Sequence, residues 1–456
     1  MIQVREYALL SADPGATLSL DHGVVSPATF EWLSALAQSK AGERILSLKG
    51  PHYLKLDSFV GYLESPAGEG IEVLPKTGLG TQNPEHARQI LCKMLCSALH
   101  LKPQEAQDAA LRRMETPLHE WLYAQFLQAL NHLVARGLRF DYERVEEECQ
   151  FIRGQLDMPA QLRQPPGRAN VFHIRHDIYS PERVENRLLK TALEYVYRYC
   201  RHPENWRLAN ELIHLLEPVT ALRDPLRFLP QWTHSKLLQM YQPVKPWCEL
   251  ILEQLNPNFQ QGLHRGIALM FPMEKLFEAH VAAWFNARVQ PPWKSKVQAA
   301  SEYLVTHQPE ESPTGQDWFN LQPDLVLLRG DITQVLDTKW KLLDSQAANG
   351  KEKYGLSQQD FYQMYAYGQK YQAGTGDMML IYPRHSRFSA PLSRFDFDEH
   401  LRLWVVPFCI ETDQLICGDW VPAFDALNLL AASPLRQSTG SALSPAGTRR
   451  DQPVIG

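Results

Sequence analysis

The stretch PDLVLLRGDITQVLDTKWK, residues 323–341, constrains the fold of this chain more than any other feature. Its Gly330-Asp331 dipeptide separates two apolar runs, a pattern that predicts a two-residue turn between antiparallel strands. Such a turn sets the register of the hairpin and pairs Asp324 directly with Asp337. Because directly paired side chains point to the same face of a sheet, we expect the two carboxylates to lie a few ångströms apart.

Two facing carboxylates repel each other, so this pairing is unfavourable in a sheet that has only a structural role. A hard cation with oxygen ligands, such as Mg²⁺, would neutralise the pair, and the backbone carbonyl of Thr338 could be a third ligand. Lys339, on the same face, would then orient or deprotonate a water, or stabilise charge on a phosphate. The alternative is a solvated face on which Lys339 screens the two aspartates. The spacing alone leaves both interpretations open.

Segments on either side of the hairpin carry side chains that could complete such a site. Upstream, MEKLFEAHV places Glu274 and Glu278 one helical turn apart on one face, and either could add a carboxylate. Downstream, FYQMYAYGQ predicts a helix with Gln363 and Tyr367 on one face. These two side chains could contact a phosphate backbone, or Tyr367 could be a packed aromatic.

The pattern along the chain predicts a multidomain α+β protein. Residues 1–80 contain short apolar runs divided by Gly, Pro, Asp and Ser, which predicts a β-rich domain. Residues 81–265 are predicted to be mainly helical, because apolar side chains recur there at three- and four-residue spacing. Residues 266–432 alternate strands with a helix and predict an α/β core with a mixed sheet. Residues 433–456, rich in Ser, Gly, Pro and Arg, predict a disordered tail.

Charge and composition exclude several classes of protein. The formal net charge of -5 lacks the basic balance of proteins that bind DNA strongly on their own, so any DNA contact is local or shared with a partner. The seven scattered cysteines form no CxxC pair and indicate a reducing compartment. No apolar run approaches the roughly eighteen residues of a membrane span, and we expect a cytoplasmic protein without a membrane partner. KTGLGT, residues 76–81, lacks the Walker A pattern, so nucleotide chemistry belongs elsewhere.

The order of a glutamate-bearing helix, P-D, D-x-K and Q-x-x-x-Y resembles the PD-(D/E)xK nuclease superfamily and implies a restriction-endonuclease-like core. The likeness is closer to the McrC nuclease subunits of McrBC modification-dependent restriction systems. It extends over most of the chain, through IEVLPKTG at 71–78, FIRGQLDM at 151–158, ENRLLKTAL at 185–193 and LDTKWK at 336–341.

The resemblance implies a DNA endonuclease that docks, through its N-terminal domain, on a hexamer of McrB-type AAA+ GTPase subunits. That partner binds GTP, recognises methylated cytosine, 5-methylcytosine, in double-stranded DNA and translocates the DNA. In the family the nuclease subunit also stimulates GTP hydrolysis, and the nuclease domain is a candidate for dimerisation. The resemblance does not assign the N-terminal residues that contact the partner.

The resemblance also assigns roles to individual residues. It implies Mg²⁺ as the cofactor, with Asp324, Asp337, the Thr338 carbonyl and Glu278 as its ligands. The implied catalytic residues are Asp324, Asp337, Lys339, Glu278, Gln363 and Tyr367. The choice between Glu274 and Glu278 as the helix acid stays open.

Two other functions remain at this stage. One is a RecB-like nuclease that acts without a GTPase ring, although the scattered cysteines argue against the subgroup with a four-cysteine iron–sulfur cluster. The other is an adaptor that activates the GTPase without cleaving DNA. The intact Asp324, Asp337 and Lys339 argue against such an adaptor.

Overall fold

A computed structural model describes residues 1–39, 42–77, 83–99, 116–168, 170–232, 235–253, 266–309 and 314–418. The predicted tail at 433–456 lies outside these residues. Over the part of the chain that is described, no helix has the length and apolar character to cross a membrane.

The N-terminal region is β-rich, as predicted, and contains two small sheets and one helix. Helix α1, Pro27–Ala37, was not predicted; it begins after Ser26, whose side chain accepts a hydrogen bond from the Thr29 N–H, and Pro27 supplies a favourable first position. The buried face of α1 packs against the apolar side chains between the sheets. The strands are β1 (Ile2–Arg5), β2 (Leu9–Ser11), β3 (His22–Val24), β4 (Leu46–Leu48), β5 (Tyr53–Leu56), β6 (Phe59–Glu64) and β7 (Gly70–Leu74).

The middle region contains the predicted helices. One of them, Leu118–Arg136, ends at Gly137 with φ +90°. The helices of this region, except the short one at Met158–Leu162, contribute side chains to one large apolar cluster. They are α2 (Pro84–Ala98), α3 (Leu118–Arg136), α4 (Met158–Leu162), α5 (Val184–Tyr199), α6 (Pro203–Leu215) and α7 (Lys245–Glu253).

A three-stranded sheet also lies in this region and was not predicted. Its strands, β8 (Asp141–Cys149), β9 (Gln155–Leu156) and β10 (Phe172–Ser180), pair in the order β8-β10-β9. Most β8 side chains are exposed, so the strand lacks the alternation of apolar and polar residues that identifies a half-buried strand.

One strand joins the first part of the chain to the last. Strand β11, Ile267–Pro272, pairs antiparallel with β6 and completes the N-terminal sheet, whose order is β1-β7-β6-β11. The two backbones approach closely at Gly61, where a Cβ would lie 1.8 Å from the Leu269 carbonyl oxygen. Strand β11 leads directly into the next helix, α8 (Met273–Arg288). The predicted division at residue 266 therefore places a strand of the N-terminal sheet in the C-terminal segment, and the division itself stays a prediction.

The C-terminal region contains a seven-stranded mixed sheet, which confirms the mixed sheet expected there. Its main path is β12-β15-β16-β17-β19-β18, with β15 and β16 antiparallel and β16, β17 and β19 parallel. The elements are β12 (Lys294–Val297), β13 (Glu302–His307), β14 (Gln316–Leu321), β15 (Leu325–Arg329), β16 (Ile332–Thr338), α9 (Gln358–Tyr371), β17 (Gly376–Pro383), β18 (Phe395–Asp396), β19 (Leu401–Cys409) and β20 (Gln414–Leu415).

Helices cover both faces of this sheet. Alternate side chains of β17 enter two different apolar clusters: Met379 and Ile381 pack in the cluster that contains Phe277 of α8, whereas Leu380 packs in the cluster that contains Met364 of α9. A strand buried on both faces carries a continuous apolar run, and β17 and β19 both have this character. The hairpin of β15 and β16 lies between the two helical layers.

Candidate active site

The hairpin has the predicted register. Leu325 pairs with Leu336 and Arg329 with Ile332, and Gly330-Asp331 forms the turn, with Gly330 at φ +57°. This conformation costs little only for glycine, which explains the residue at the turn. The prediction that Asp324 and Asp337 lie side by side is confirmed, because they directly continue this register.

Each aspartate carboxylate accepts a hydrogen bond from a backbone N–H at or next to the other aspartate. Asp324 Oδ2 accepts hydrogen bonds from the N–H of Thr338, at 2.7 Å, and from its hydroxyl, at 2.6 Å. In the opposite direction, the backbone N–H of Asp324 donates to the Asp337 carboxylate. Asp337 is only 1% exposed. Strand pairing therefore orders both carboxylates, and it shields that of Asp337 from water, whereas Asp324 is half-buried.

Burial makes this pair electrostatically unfavourable. The pKa of Asp324 is raised to about 7 by burial, by the charge of Asp337 and by the charge of Glu278, and the bonds from Thr338 offset only part of the effect. Burial also raises the pKa of Asp337, although Lys339 opposes this shift. A further cation at this site would favour the ionised form of both carboxylates.

Lys339 is the cation nearest to the pair. Its Nζ lies 2.6 Å from Asp337 Oδ2 and donates to Gln363 Oε1 at 3.0 Å, while its backbone N–H donates to the Ile381 carbonyl. Burial lowers the pKa of Lys339, but the charge of Asp337, the hydrogen bond to it and the charge of Asp324 together outweigh this effect, and the net shift is upward. The lysine is therefore a fixed, charged donor, and 27% of its side chain is exposed.

Gln363 and Tyr367 extend the contacts of Lys339 across helix α9. The Ser357 side chain caps this helix by accepting a hydrogen bond from the Gln359 N–H. Gln363 Nε2 donates to the Tyr367 hydroxyl at 2.7 Å, and that hydroxyl donates to the carbonyl of Gln322 at 3.0 Å. The chain of bonds from Lys339 thus returns to the backbone two residues before Asp324. Both side chains have bonds inside the protein, and their predicted phosphate contacts stay a prediction.

The structure distinguishes the two glutamates of helix α8. Glu274 is exposed, whereas Glu278 is buried and its charge acts on Asp324. Glu278 accepts hydrogen bonds from Lys275 Nζ at 2.6 Å and from Gln298 Nε2 at 2.7 Å. Glu278 is therefore the glutamate placed at the site.

Lys275 and Gln298 are site residues that the sequence did not single out. The i,i+3 spacing of Lys275 and Glu278 was a visible signal for an ion pair. Gln298 follows β12 at φ +47°, in no regular element, and no local pattern indicates that it reaches helix α8.

The donors at this site suit a hard cation with few protein ligands. Asp337 Oδ2 is buried and lies 2.6 Å from Lys339 Nζ. Over the residues that the structure describes, no group of three or more His, Cys, Asp or Glu is arranged to hold a metal. Mg²⁺ needs no such group, because it keeps several waters and often takes one or two carboxylates. Asp324 and Asp337 could hold it, whereas the Thr338 carbonyl and Glu278 stay predicted ligands.

Fold and site together define an α+β protein with an ordered, charged cluster on a mixed sheet. A family model described as McrBC 5-methylcytosine restriction system component matches residues 54–383. The chain therefore belongs to the McrBC family of restriction system components, and the family resemblance of its motifs is confirmed. All six predicted catalytic residues lie inside the matched range.

Solved structures add a likeness of fold. A chain in a refined half-complex from a tetradecameric assembly of Thermococcus gammatolerans McrB AAA+ hexamers with bound McrC shares 16% sequence identity with this chain, at a TM-score of 0.62. The match covers 90% of this chain and 94% of that one. A chain in the cryo-EM structure of the Thermococcus gammatolerans McrBC complex has 18% identity and a TM-score of 0.45, over 62% of this chain and 86% of that one. No curated protein sequence matches.

Proposed function

We propose that this chain is the McrC-type subunit of an McrBC restriction system and acts as a Mg²⁺-dependent endonuclease of the PD-(D/E)xK type. Its substrate is double-stranded DNA that contains modified cytosine. The observation that carries the proposal is the pair of Asp324 and Asp337, which the hairpin register orders, with Asp337 buried and 2.6 Å from Lys339. Membership of the McrBC family supports it.

The residues of the site have separate roles in this proposal. Asp324 and Asp337 hold Mg²⁺, which when bound supplies a Lewis acid for the phosphate and lowers the pKa of a coordinated water. Lys339 presents its ammonium group at the partly exposed edge of the pair, where it stabilises negative charge on the phosphate or orients the attacking water. Gln363 and Tyr367 hold that ammonium group in place. Glu278 adds negative charge on the side of helix α8.

The partner in this proposal is a hexameric McrB-type AAA+ GTPase. The structural relative comes from an assembly of McrB AAA+ hexamers with bound McrC, and the same arrangement here would supply the DNA affinity that a net charge of -5 does not. We assign docking to the N-terminal region. Its described residues expose several large apolar side chains, a feature of surfaces that bind proteins: Tyr7, Leu9, Leu18, Leu48 and Tyr53.

The Lys339→Ala variant tests the proposed nuclease. With the McrB-type partner, GTP, Mg²⁺ and methylated DNA, we expect cleavage to fall by about 10²–10³-fold, because a fixed cation at the phosphate is lost. Stimulation of GTP hydrolysis is expected to remain, since Lys339 is not part of the exposed apolar surface assigned to docking. Lys341→Ala is the matched control, because Lys341 follows two residues later and is exposed.

Three outcomes of this assay separate the candidate functions. Equal cleavage by Lys339→Ala and the unmodified protein would remove the catalytic assignment of the lysine. Stimulation of GTP hydrolysis with no cleavage by the unmodified protein would indicate an adaptor. Cleavage that needs no GTPase partner would indicate a nuclease that acts alone.

A further inference from the structure

A buried carboxylate of the N-terminal region contacts the residue next to Lys339. Glu6 is 0% exposed, and its Oε1 accepts hydrogen bonds from the backbone N–H of Lys76 and from Trp340 Nε1, both at 2.8 Å. Its second oxygen accepts a bond from the Ser58 hydroxyl at 3.4 Å. The bond to Trp340 joins residues 334 positions apart in the chain.

Trp340 lies between this carboxylate and helix α8. Its ring, 8% exposed, packs against Phe277 with the ring centroids 5.4 Å apart. Phe277 directly precedes Glu278, and Trp340 directly follows Lys339. The indole therefore belongs to the segment that carries Lys339 and packs against the helix that carries Glu278.

The backbone leaves the sheet directly after Lys339. Strand β16 ends at Thr338, and residues 339–344 continue without regular structure. The bond from the Lys339 N–H to the Ile381 carbonyl is the last contact of the strand type. The next residue is Trp340, whose N–H is oriented by Glu6, and the following fully buried side chain is Leu343. A catalytic group must be held to within a fraction of an ångström, so a restraint one residue away affects the position of its side chain.

We propose that Glu6 is a positioning residue for the candidate active site, which acts through the Trp340 indole to hold Lys339 in place. The N-terminal region, proposed above to dock on the GTPase, is thereby part of the support of the catalytic lysine. The pairing of β6 with β11, which leads into helix α8, provides a second connection between the same two regions. Glu6 lies outside the range matched by the family model. This inference rests on the proposed nuclease function.

Trp340→Phe is the sharpest test, because it removes the N–H and keeps an aromatic ring against Phe277. In the full chain, assayed with partner, GTP, Mg²⁺ and methylated DNA, we expect kcat for cleavage to fall about tenfold, since small displacements of a reacting group cost this much or more. KM for DNA and the stimulation of GTP hydrolysis should stay within twofold of the unmodified protein. Trp293→Phe is the matched control: Trp293 is also buried in the C-terminal region, and within the described residues its indole N–H has no hydrogen-bond partner.

Changes at Glu6 provide a second line of evidence. Glu6→Ala should lower kcat as Trp340→Phe does, and the double variant should be no slower than either single variant, because both remove the same bond. Glu6→Gln should restore cleavage to within twofold, since its amide oxygen can accept from the Lys76 N–H and from Trp340. Equal kcat for Trp340→Phe and Trp293→Phe, or losses that multiply in the double variant, would overturn the inference.

The proposed function and this inference fail in different ways. If the unmodified protein does not cleave DNA, or if Lys339→Ala cleaves as well as it does, the proposed function is wrong. If the unmodified protein cleaves, Lys339→Ala does not, and Trp340→Phe matches its control, only the role of Glu6 is wrong.

Discussion

At the residue scale, the position of Asp324 in the site lowers the stability of the folded protein when its carboxyl is ionised. Its carboxyl is held by Thr338 in a position where burial, Asp337 and Glu278 all oppose its ionisation, which raises its pKa to about 7. An unfolded aspartate ionises near pH 4, so its contribution to folding is complete below about pH 4 and is lost as the pH rises through 7. The fold thus carries a pair of charges that an added cation would stabilise.

We predict that Asp324→Asn removes much of this pH dependence. Without divalent metal, the unmodified protein should be about 1–3 kcal/mol less stable at pH 8 than at pH 5 on account of this group. The asparagine oxygen can still accept from Thr338, but the amide does not ionise. Urea unfolding at the two pH values measures the effect. Burial also raises the pKa of Glu6 to about 7, and its similar contribution cancels in the comparison of the two proteins.

Added Mg²⁺ provides the control for the same variant. At pH 8, saturating Mg²⁺ should raise the unfolding free energy of the unmodified protein, because an ion that binds only the folded state stabilises it by mass action. Asp324→Asn should gain much less. The same gain in both proteins would place the metal elsewhere, and identical pH profiles would contradict the shifted pKa.

At the scale of elements, the pairing of β6 with β11 joins the N-terminal sheet to the helix that carries Glu278. The close approach of the two strands depends on Gly61, which has φ +140° and faces the Leu269 carbonyl. We predict that Gly61→Ala lowers the unfolding free energy by more than about 3 kcal/mol, because the added Cβ collides with backbone and the conformation is strained. Urea unfolding of the full chain measures the loss.

Gly68→Ala is the control for this prediction. Gly68 also has a positive φ, of +82°, but a Cβ there meets no atom within 4 Å, so strain alone should cost about 1 kcal/mol. Comparable losses in the two variants would show that the contact of β6 with β11 does not limit stability.

At the scale of the whole molecule, the proposed docking surface and the candidate active site lie in different regions of the chain. The Glu6–Trp340 hydrogen bond and the pairing of β6 with β11 connect these regions. Among the apolar residues exposed on the N-terminal region, Leu18 has 71% of its surface accessible. We predict that Leu18→Asp weakens docking on the GTPase and lowers stimulation of GTP hydrolysis about tenfold or more, because a charge enters an apolar contact. Titration of the partner with each variant, read as GTP hydrolysis, measures this effect.

Leu237→Asp is the matched control for docking. Leu237 is 70% exposed but lies in the middle region, so the same substitution should leave stimulation unchanged. A loss of stimulation with Leu237→Asp and none with Leu18→Asp would move the docking surface away from the N-terminal region.

Local chemistry was sufficient to predict several parts of this protein. The turn at Gly330-Asp331 determined the register that brings Asp324 and Asp337 together, because a two-residue turn leaves one pairing of the strands. Helix α9 followed from the side-chain spacing of FYQMYAYGQ, and the mixed sheet followed from the alternation of strands with a helix. The order of motifs was sufficient to indicate the family.

Other parts depended on contacts that no short stretch encodes. The choice of Glu278 over Glu274 depended on how helix α8 packs against the sheet, and the bonds that Tyr367 makes depended on where helix α9 crosses the hairpin. Strand β8 could not be predicted from periodicity, because most of its side chains are exposed and apolar and polar residues do not alternate along it.

The sequence by itself determined the hairpin, its paired aspartates and the lysine that follows them, because those positions depend on the turn and on alternation along a strand. Only the tertiary structure showed what surrounds them: a glutamate from the N-terminal region bonded to Trp340, 334 positions away along the chain. Hydrogen bonds between distant residues require only that donor and acceptor meet after folding. They leave no spacing or period in the sequence, which is why this connection to Lys339 was found only in the folded molecule.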